Sequence, residues 1–162
     1  MLPAYPYAPG LPSNLGEILD AIEKVIYTPP EPYEALLRRP SFKKTENIIL
    51  EGYIPEGAQR FRVNLMNSIS QDILFHASVR LNEKRIVRNS KKHGNWGKEE
   101  SDTPNMPFEA GQNFTMEIRN GEKTIEVYGD LEKLFDFHHR EFIKLYDTIE
   151  VVGDVNLTCM DF

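Results

Sequence analysis

Apolar and polar residues alternate along this chain in short runs, each closed by a turn signal, and that pattern leaves few folds open. Strand side chains point to opposite faces in turn, so a period of two marks a strand with one buried side. In 60–65, Phe61, Val63 and Leu65 fall on one side and Arg60, Arg62 and Asn64 on the other. Phe114, Met116 and Ile118 repeat the pattern, and Asn120-Gly121 then predicts a tight hairpin turn into residues 124–128. A last strand is expected over 148–161, interrupted at Gly153-Asp154. From about Pro40 onward the chain reads as strand after strand, without an internal repeat. The expectation is an all-β domain of two antiparallel sheets packed face to face.

The start of the chain follows another rule. Residues 1–12 are rich in proline and tyrosine and predict an extended arm. Leu15, Ile18, Leu19, Ile22, Val25 and Ile26 then recur at helical spacing, with Asn14 as N-cap and Thr28-Pro29-Pro30 as the stop. A short amphipathic helix over about 14–27 is therefore expected. It would either pack on the domain that follows or serve an oligomer or partner, which leaves room for a homodimer. The chain divides into an extension, 1–31, and a single domain, 32–162.

Composition excludes several functions. A formal charge of −6 opposes general nucleic-acid binding, which needs a basic field. The basic pairs at 38–39, 43–44, 84–85 and 91–92 read as solvated surface charge. No stretch approaches the roughly 18 apolar residues of a membrane span. The first residues lack a secretory signal pattern, so cytoplasmic residence is expected and the two glycosylation-type triplets, at Asn113 and Asn156, read as chance. Cys159 is the only cysteine, which rules out an intramolecular disulfide and a cysteine-based zinc site. Its alternation with Val155 and Leu157 predicts a buried structural thiol. No metal, cofactor or catalytic constellation is expected: His138-His139 lack partner ligands, and no second carboxylate is placed with Glu99 or Glu100 for glycoside hydrolysis.

The most informative stretch is 72–100. Ile73, Phe75, Ala77, Val79 and Leu81 make a core face, so His76, Ser78 and Arg80 share the opposite one. After a turn at 82–84, Val87 and Asn89 share a face that a hairpin would set beside them. Trp96 follows the loop Lys91-Lys92-His93-Gly94-Asn95, and Glu99 lies three residues on. Sugars suit such a set: an indole covers the apolar C–H face of the ring, while His, Arg, Asn and Glu fix hydroxyl geometry. Taken singly, each of these residues reads as ordinary strand surface, and Trp96 as core. The combination and spacing carry the inference.

That combination resembles the galectin signature of His-x-Asn-x-Arg, Val-x-Asn and Trp-x-x-Glu-x-Arg. Here it stands as His76-x-Ser78-x-Arg80, Val87-x-Asn89 and Trp96-x-x-Glu99-x-Ser101. The flanking stretches EGYIPEGAQRFRVNL and PFEAGQNFTMEIRNGEKTIEVYG, Phe137-x-His139-Arg140 and the ending 155–162 extend the resemblance over roughly 32–162. It implies a concanavalin-like jelly roll and a non-enzymatic lectin for β-galactoside glycans on glycoproteins or glycolipids. Trp96 would stack on galactose, His76 and Arg80 would hold the axial O4 with Ser78 as a further binding residue between them, and Asn89 and Glu99 would meet O6, with Val87 and Ser101 as secondary contacts. It also implies export without a signal peptide.

Two positions depart from the signature. Ser78 replaces an Asn and Ser101 an Arg, and each lost contact is expected to weaken binding about 10- to 100-fold or to shift the preferred glycan. The same departures favour a rival expectation, a galectin-fold interaction or structural protein with weak or no sugar binding. Arg88 alternates with Ile86 toward the core, where it must either snorkel or pair with a carboxylate.

Overall fold

The structure, a computed structural model, describes residues 24–25, 33–36, 47–141 and 146–162. Among the described residues, twelve strands form two antiparallel sheets of six. The first contains β1 (Lys24–Val25), β3 (Asn47–Ile54), β8 (Gln112–Asn120), β9 (Thr124–Gly129), β10 (Glu132–His138) and β12 (Asn156–Asp161), in the order β1-β12-β3-β8-β9-β10. The second contains β2 (Tyr33–Leu36), β4 (Arg60–Met66), β5 (Ile73–Arg80), β6 (Arg85–Lys92), β7 (Asn95–Trp96) and β11 (Thr148–Gly153), in the order β2-β11-β4-β5-β6-β7.

The alternating residues build the core between the sheets. Phe61, Val63 and Leu65 meet Phe114, Met116 and Ile118 there, all almost fully buried. The ring of Phe61 lies 5.4 Å from Phe114, and that of Phe75 lies 5.2 Å from Phe137. Burying a side chain of this size contributes roughly 1.5–3 kcal/mol, which pins strand register, since a slip by one residue would turn every core group to solvent. Tyr33 ties the sheets together: its hydroxyl donates to the Val155 carbonyl and accepts from the Leu157 N–H, at 3.4 and 3.3 Å.

Several expectations change. Residues 148–161 form not one interrupted strand but β11 and β12, which lie in different sheets, with Gly153-Asp154 at the crossover. Bulges shift two alternations. Leu74 is an extra residue of β5 against both β4 and β6, so Leu74 enters the core while Ile73 is only partly buried. Thr158 is the extra residue of β12 against β3, so Met160 takes the core position and Cys159 is left only partly buried. A bulge sets two residues against one, and the faces exchange beyond it. The hairpin after β8 does not turn at Asn120-Gly121: Asn120 pairs with Ile125 and the Gly121 N–H donates to the Thr124 carbonyl at 2.8 Å, so the turn falls at Glu122-Lys123.

The arm and the helix expected over 14–27, with any role in a homodimer, fall outside the described residues except at Lys24–Val25. Those two are strand, paired with Asp161 and Met160, because the edge of β12 supplies their backbone partners. Among the described residues, no helix is long and apolar enough to cross a membrane, and no cluster of three or more His, Cys, Asp or Glu could hold a metal ion.

Candidate functional site

The register of the second sheet sets polar side chains in rows. Across β11, β4, β5 and β6, Glu150 pairs with Asn64, Asn64 with His76, and His76 with Asn89. The next row holds Arg62, Ser78 and Val87; the one after holds Arg60, Arg80 and Arg85. All project from the face away from the core. At one end of these rows lies a shallow trough of about 320 Å³, lined by His76, Arg80, Val87, Asn89, Trp96, Gly97 and Glu99. Its volume falls at the lower end of the roughly 300–1,000 Å³ usual for small-ligand sites.

Hydrogen bonding fixes what the first row can offer. Asn64 Nδ2 donates to Glu150 Oε1 at 2.8 Å, which turns Asn64 Oδ1 toward His76 Nδ1, 2.6 Å away. A carbonyl oxygen only accepts, so Nδ1 carries the ring proton and Nε2 is left as an acceptor. Burial lowers the His76 pKa from its ordinary 6.5 to about 4, and the charges of Arg62, Arg80 and Arg60 push the same way. The ring is therefore neutral across the physiological range. Asn64 was legible as a polar-face residue of β4; its tie to His76 was not, because Glu150, which orients it, lies 86 residues away in sequence.

The third row is cationic. Like charges directly opposite one another oppose strand pairing. Glu83, in the turn before β6, offsets this by bridging Arg80 and Arg85.

Trp96 reaches the trough through a turn. His93 and Gly94 both have positive φ, 50° and 81°, as the two central residues of a type I′ hairpin. Glycine adopts this conformation freely, and histidine is among the residues enriched in it. Asn95 thereby pairs with Lys92 and Trp96 with Lys91. The indole is 50% exposed and stands edge-on to the His76 ring, with centroids 4.8 Å apart. Lys91 Nζ lies 5.5 Å from the indole centroid.

The other sequence-selected residues fall as follows. Ser78 is sunk in the floor, 4% exposed, and does not line the trough. Ser101 is exposed and lies outside it, and among the described residues no side chain braces the Glu99 carboxylate. Arg88 does face inward: it lies over the Phe135 ring at 4.3 Å, and its Nη1 donates to the carbonyls of Ile86 and Asp102 at 3.0 and 2.7 Å. It escapes an unpaired burial by bonding backbone oxygens at the sheet's end rather than a carboxylate.

The profile of the family described as galactoside-binding lectin matches residues 32–162. This chain belongs to that family, the galectins. It is 34% identical to Galectin-4 of Rattus norvegicus over 97% of this chain and 48% of that protein. It is 33% identical to the 32 kDa beta-galactoside-binding lectin of Caenorhabditis elegans over 80% of this chain and 45% of that protein. The chain thus spans about half the length of the curated relatives it matches. Among solved structures, the Caenorhabditis elegans galectin LEC-6 superposes with a TM-score of 0.76 at 22% identity, covering 86% of this chain and 94% of that one. Sheep Galectin-11, solved with glycerol, gives 0.74 at 23%, covering 82% and 97%. This galectin has the two-sheet sandwich of its relatives.

Proposed function

We propose that this galectin is a non-enzymatic lectin that binds β-galactoside-containing glycans in the trough, through His76, Arg80, Asn89, Trp96 and Glu99. The observation that carries the reading is the chemistry of the trough's lining. A neutral imidazole acceptor, a guanidinium, an amide and a carboxylate surround a space flanked by a half-exposed indole. A galactose ring needs this division, since its hydroxyls both donate and accept while one face is apolar. In this reading the indole stacks on that face, His76 and Arg80 meet the axial O4, and Asn89 and Glu99 meet O6. Hydrogen bonds to charged groups contribute about 1.5–3 kcal/mol each, and mounting them on paired strands lowers the ordering cost of binding. No metal or cofactor takes part.

The carboxylates argue against glycoside hydrolysis, which needs two flanking the scissile bond. Glu99 lines the trough, whereas Glu100 is engaged by Arg140 at 2.9 Å. The reading includes cytoplasmic residence, suited to a chain whose single cysteine, Cys159, is a partly buried thiol, and export to extracellular glycans.

Titration with lactose, followed through the fluorescence of the single tryptophan, is the direct test. The native protein should respond to lactose and N-acetyllactosamine and ignore maltose. Trp96→Ala should stay folded and lose about 100-fold in affinity, which is about 2.8 kcal/mol at 1.4 kcal/mol per tenfold, measured on an immobilised-lactose column. The sunken Ser78 and the unbraced Glu99 favour a second reading, a galectin-fold interaction protein with weak sugar binding. A native chain that passes through the lactose column unretained would establish that reading instead.

A further inference from the structure

Arg140 played no part in the site read from the sequence. It follows the edge strand β10 of the first sheet, yet its guanidinium reaches the second. Nη1 donates to Asn89 Oδ1 at 2.8 Å and Ser90 Oγ at 3.1 Å; Nη2 donates to the Lys98 carbonyl at 2.7 Å and Glu100 Oε2 at 2.9 Å. The group also lies over the Phe137 ring, 4.8 Å from its centroid. One planar fork therefore joins β6 to the segment that runs from Trp96 to Glu100. Lysine, with one compact ammonium, could not serve four acceptors at once.

The consequence lies in the hydrogen-bond capacity of Asn89. An amide oxygen accepts two bonds and an amide nitrogen donates two. Asn89 Oδ1 takes one from Arg140 and a second from the Ser90 N–H at 2.8 Å, so it is full. One Nδ2 proton goes to the Gly97 carbonyl at 2.9 Å. A single N–H is left for whatever enters the trough. Gly97 makes the arrangement sterically possible: a Cβ there would sit 2.8 Å from Arg140 Nη1 and 3.2 Å from Asn89 Oδ1.

We propose that Arg140 is a positioning residue for sugar recognition: it fixes the Asn89 amide so that this side chain can only donate to the ligand, and it seats the segment carrying Trp96 and Glu99. The inference rests on the lectin reading above, in which Asn89 meets O6 of galactose. The Arg140 cation arrives from the opposite sheet and pairs with Glu100 rather than Glu99.

The test compares the native chain with Arg140→Met, which keeps a long unbranched side chain without the guanidinium, and Arg140→Lys, which keeps the charge. Each is titrated with lactose and with 6′-deoxylactose, and the Asn89 side-chain amide is followed by NMR. The native protein should prefer lactose about tenfold. In Arg140→Met lactose should weaken about tenfold and the preference should fall below about threefold, because a mispositioned amide loses the O6 contact selectively. Arg140→Lys should lie between the two. A purely structural role would weaken both sugars equally and leave the preference intact, which would overturn the proposal. The Asn89 amide resonances should move in both variants, and unmoved signals would overturn it too. If the native chain binds neither sugar, the lectin reading fails and the amide signals alone decide the positioning claim. If Arg140→Met does not fold, Arg140→Lys is judged by the same two readouts.

Discussion

His76, Ser78 and Arg80 project from a strand whose other face buries Phe75, Ala77 and Val79 in the core, whereas Trp96 stands on a two-residue strand exposed along its length. To move the first three, the sandwich must open. To move the indole, only a turn and a few polar bonds must change. The floor of the trough inherits its precision from hydrophobic burial, and its rim depends on the His93-Gly94 turn and the Arg140 fork. The difference lets the rim vary with little risk to folding, since polar surface contacts contribute about 1 kcal/mol or less each while core side chains contribute several times that.

Phe75→Ala should break the floor. Phe75 is fully buried and packs against Phe135 and Phe137. The substitution should cost about 3–5 kcal/mol in urea unfolding, and whatever binding remains should weaken with it as His76, its neighbour, shifts. Trp96→Ala, at the rim, should change stability by less than about 0.5 kcal/mol. Equal costs for the two would show that the indole belongs to the folding core.

This division also explains what could be read from the sequence. Period-two alternation places His76, Ser78 and Arg80 together without any knowledge of the rest of the chain. Pairing with β6 then sets Asn89 opposite His76 and Val87 opposite Ser78. Alternation fails at a bulge, because one extra residue exchanges the faces, and sequence does not mark where that residue sits; Ile73 and Cys159 were misplaced for this reason. Turn chemistry misled in a similar way. Asn120-Gly121 carries the stronger hairpin signal, yet the two-residue turn with both φ angles positive forms at His93-Gly94. Arg140 and Glu150 stayed silent because their meaning lies in partners 40–51 and 86 residues away. No local pattern encodes those contacts.

The acceptor built into the floor gives the next largest effect, through pH. His76 has a folded pKa of about 4 against 6.5 when unfolded, so protonation favours the unfolded chain. Its contribution to stability is fully present above about pH 6.5 and is lost as pH falls toward 4. After discounting for the part of the ring that stays in contact with water, this amounts to about 1–2 kcal/mol. Lactose affinity should stay level from pH 8 down to about pH 5 and halve near pH 4, where the protonated ring no longer accepts a hydrogen bond. His76→Gln should flatten that component in both urea unfolding and lactose titration. An unaltered pH profile would move the acceptor role elsewhere.

The smallest effect is the most informative about the rim, because it separates the turn from the fork. Gly94 has φ 81°, and a Cβ there would meet nothing within 4 Å. Gly94→Ala therefore removes no contact and causes no clash; it imposes only the backbone cost of a left-handed alanine, about 1 kcal/mol. Because β7 is short and exposed, this cost can be relieved by local fraying, so the urea midpoint should hardly move. If the turn seats Trp96, lactose affinity should fall about two- to fivefold, up to the equivalent of that 1 kcal/mol. If affinity holds, the Arg140 bonds to Lys98 and Glu100 suffice to place the indole, and the turn merely closes the chain. The two supports can then be ranked by repeating the substitution in the Arg140→Met background, where a loss greater than the product of the single effects would mean that each one covers for the other.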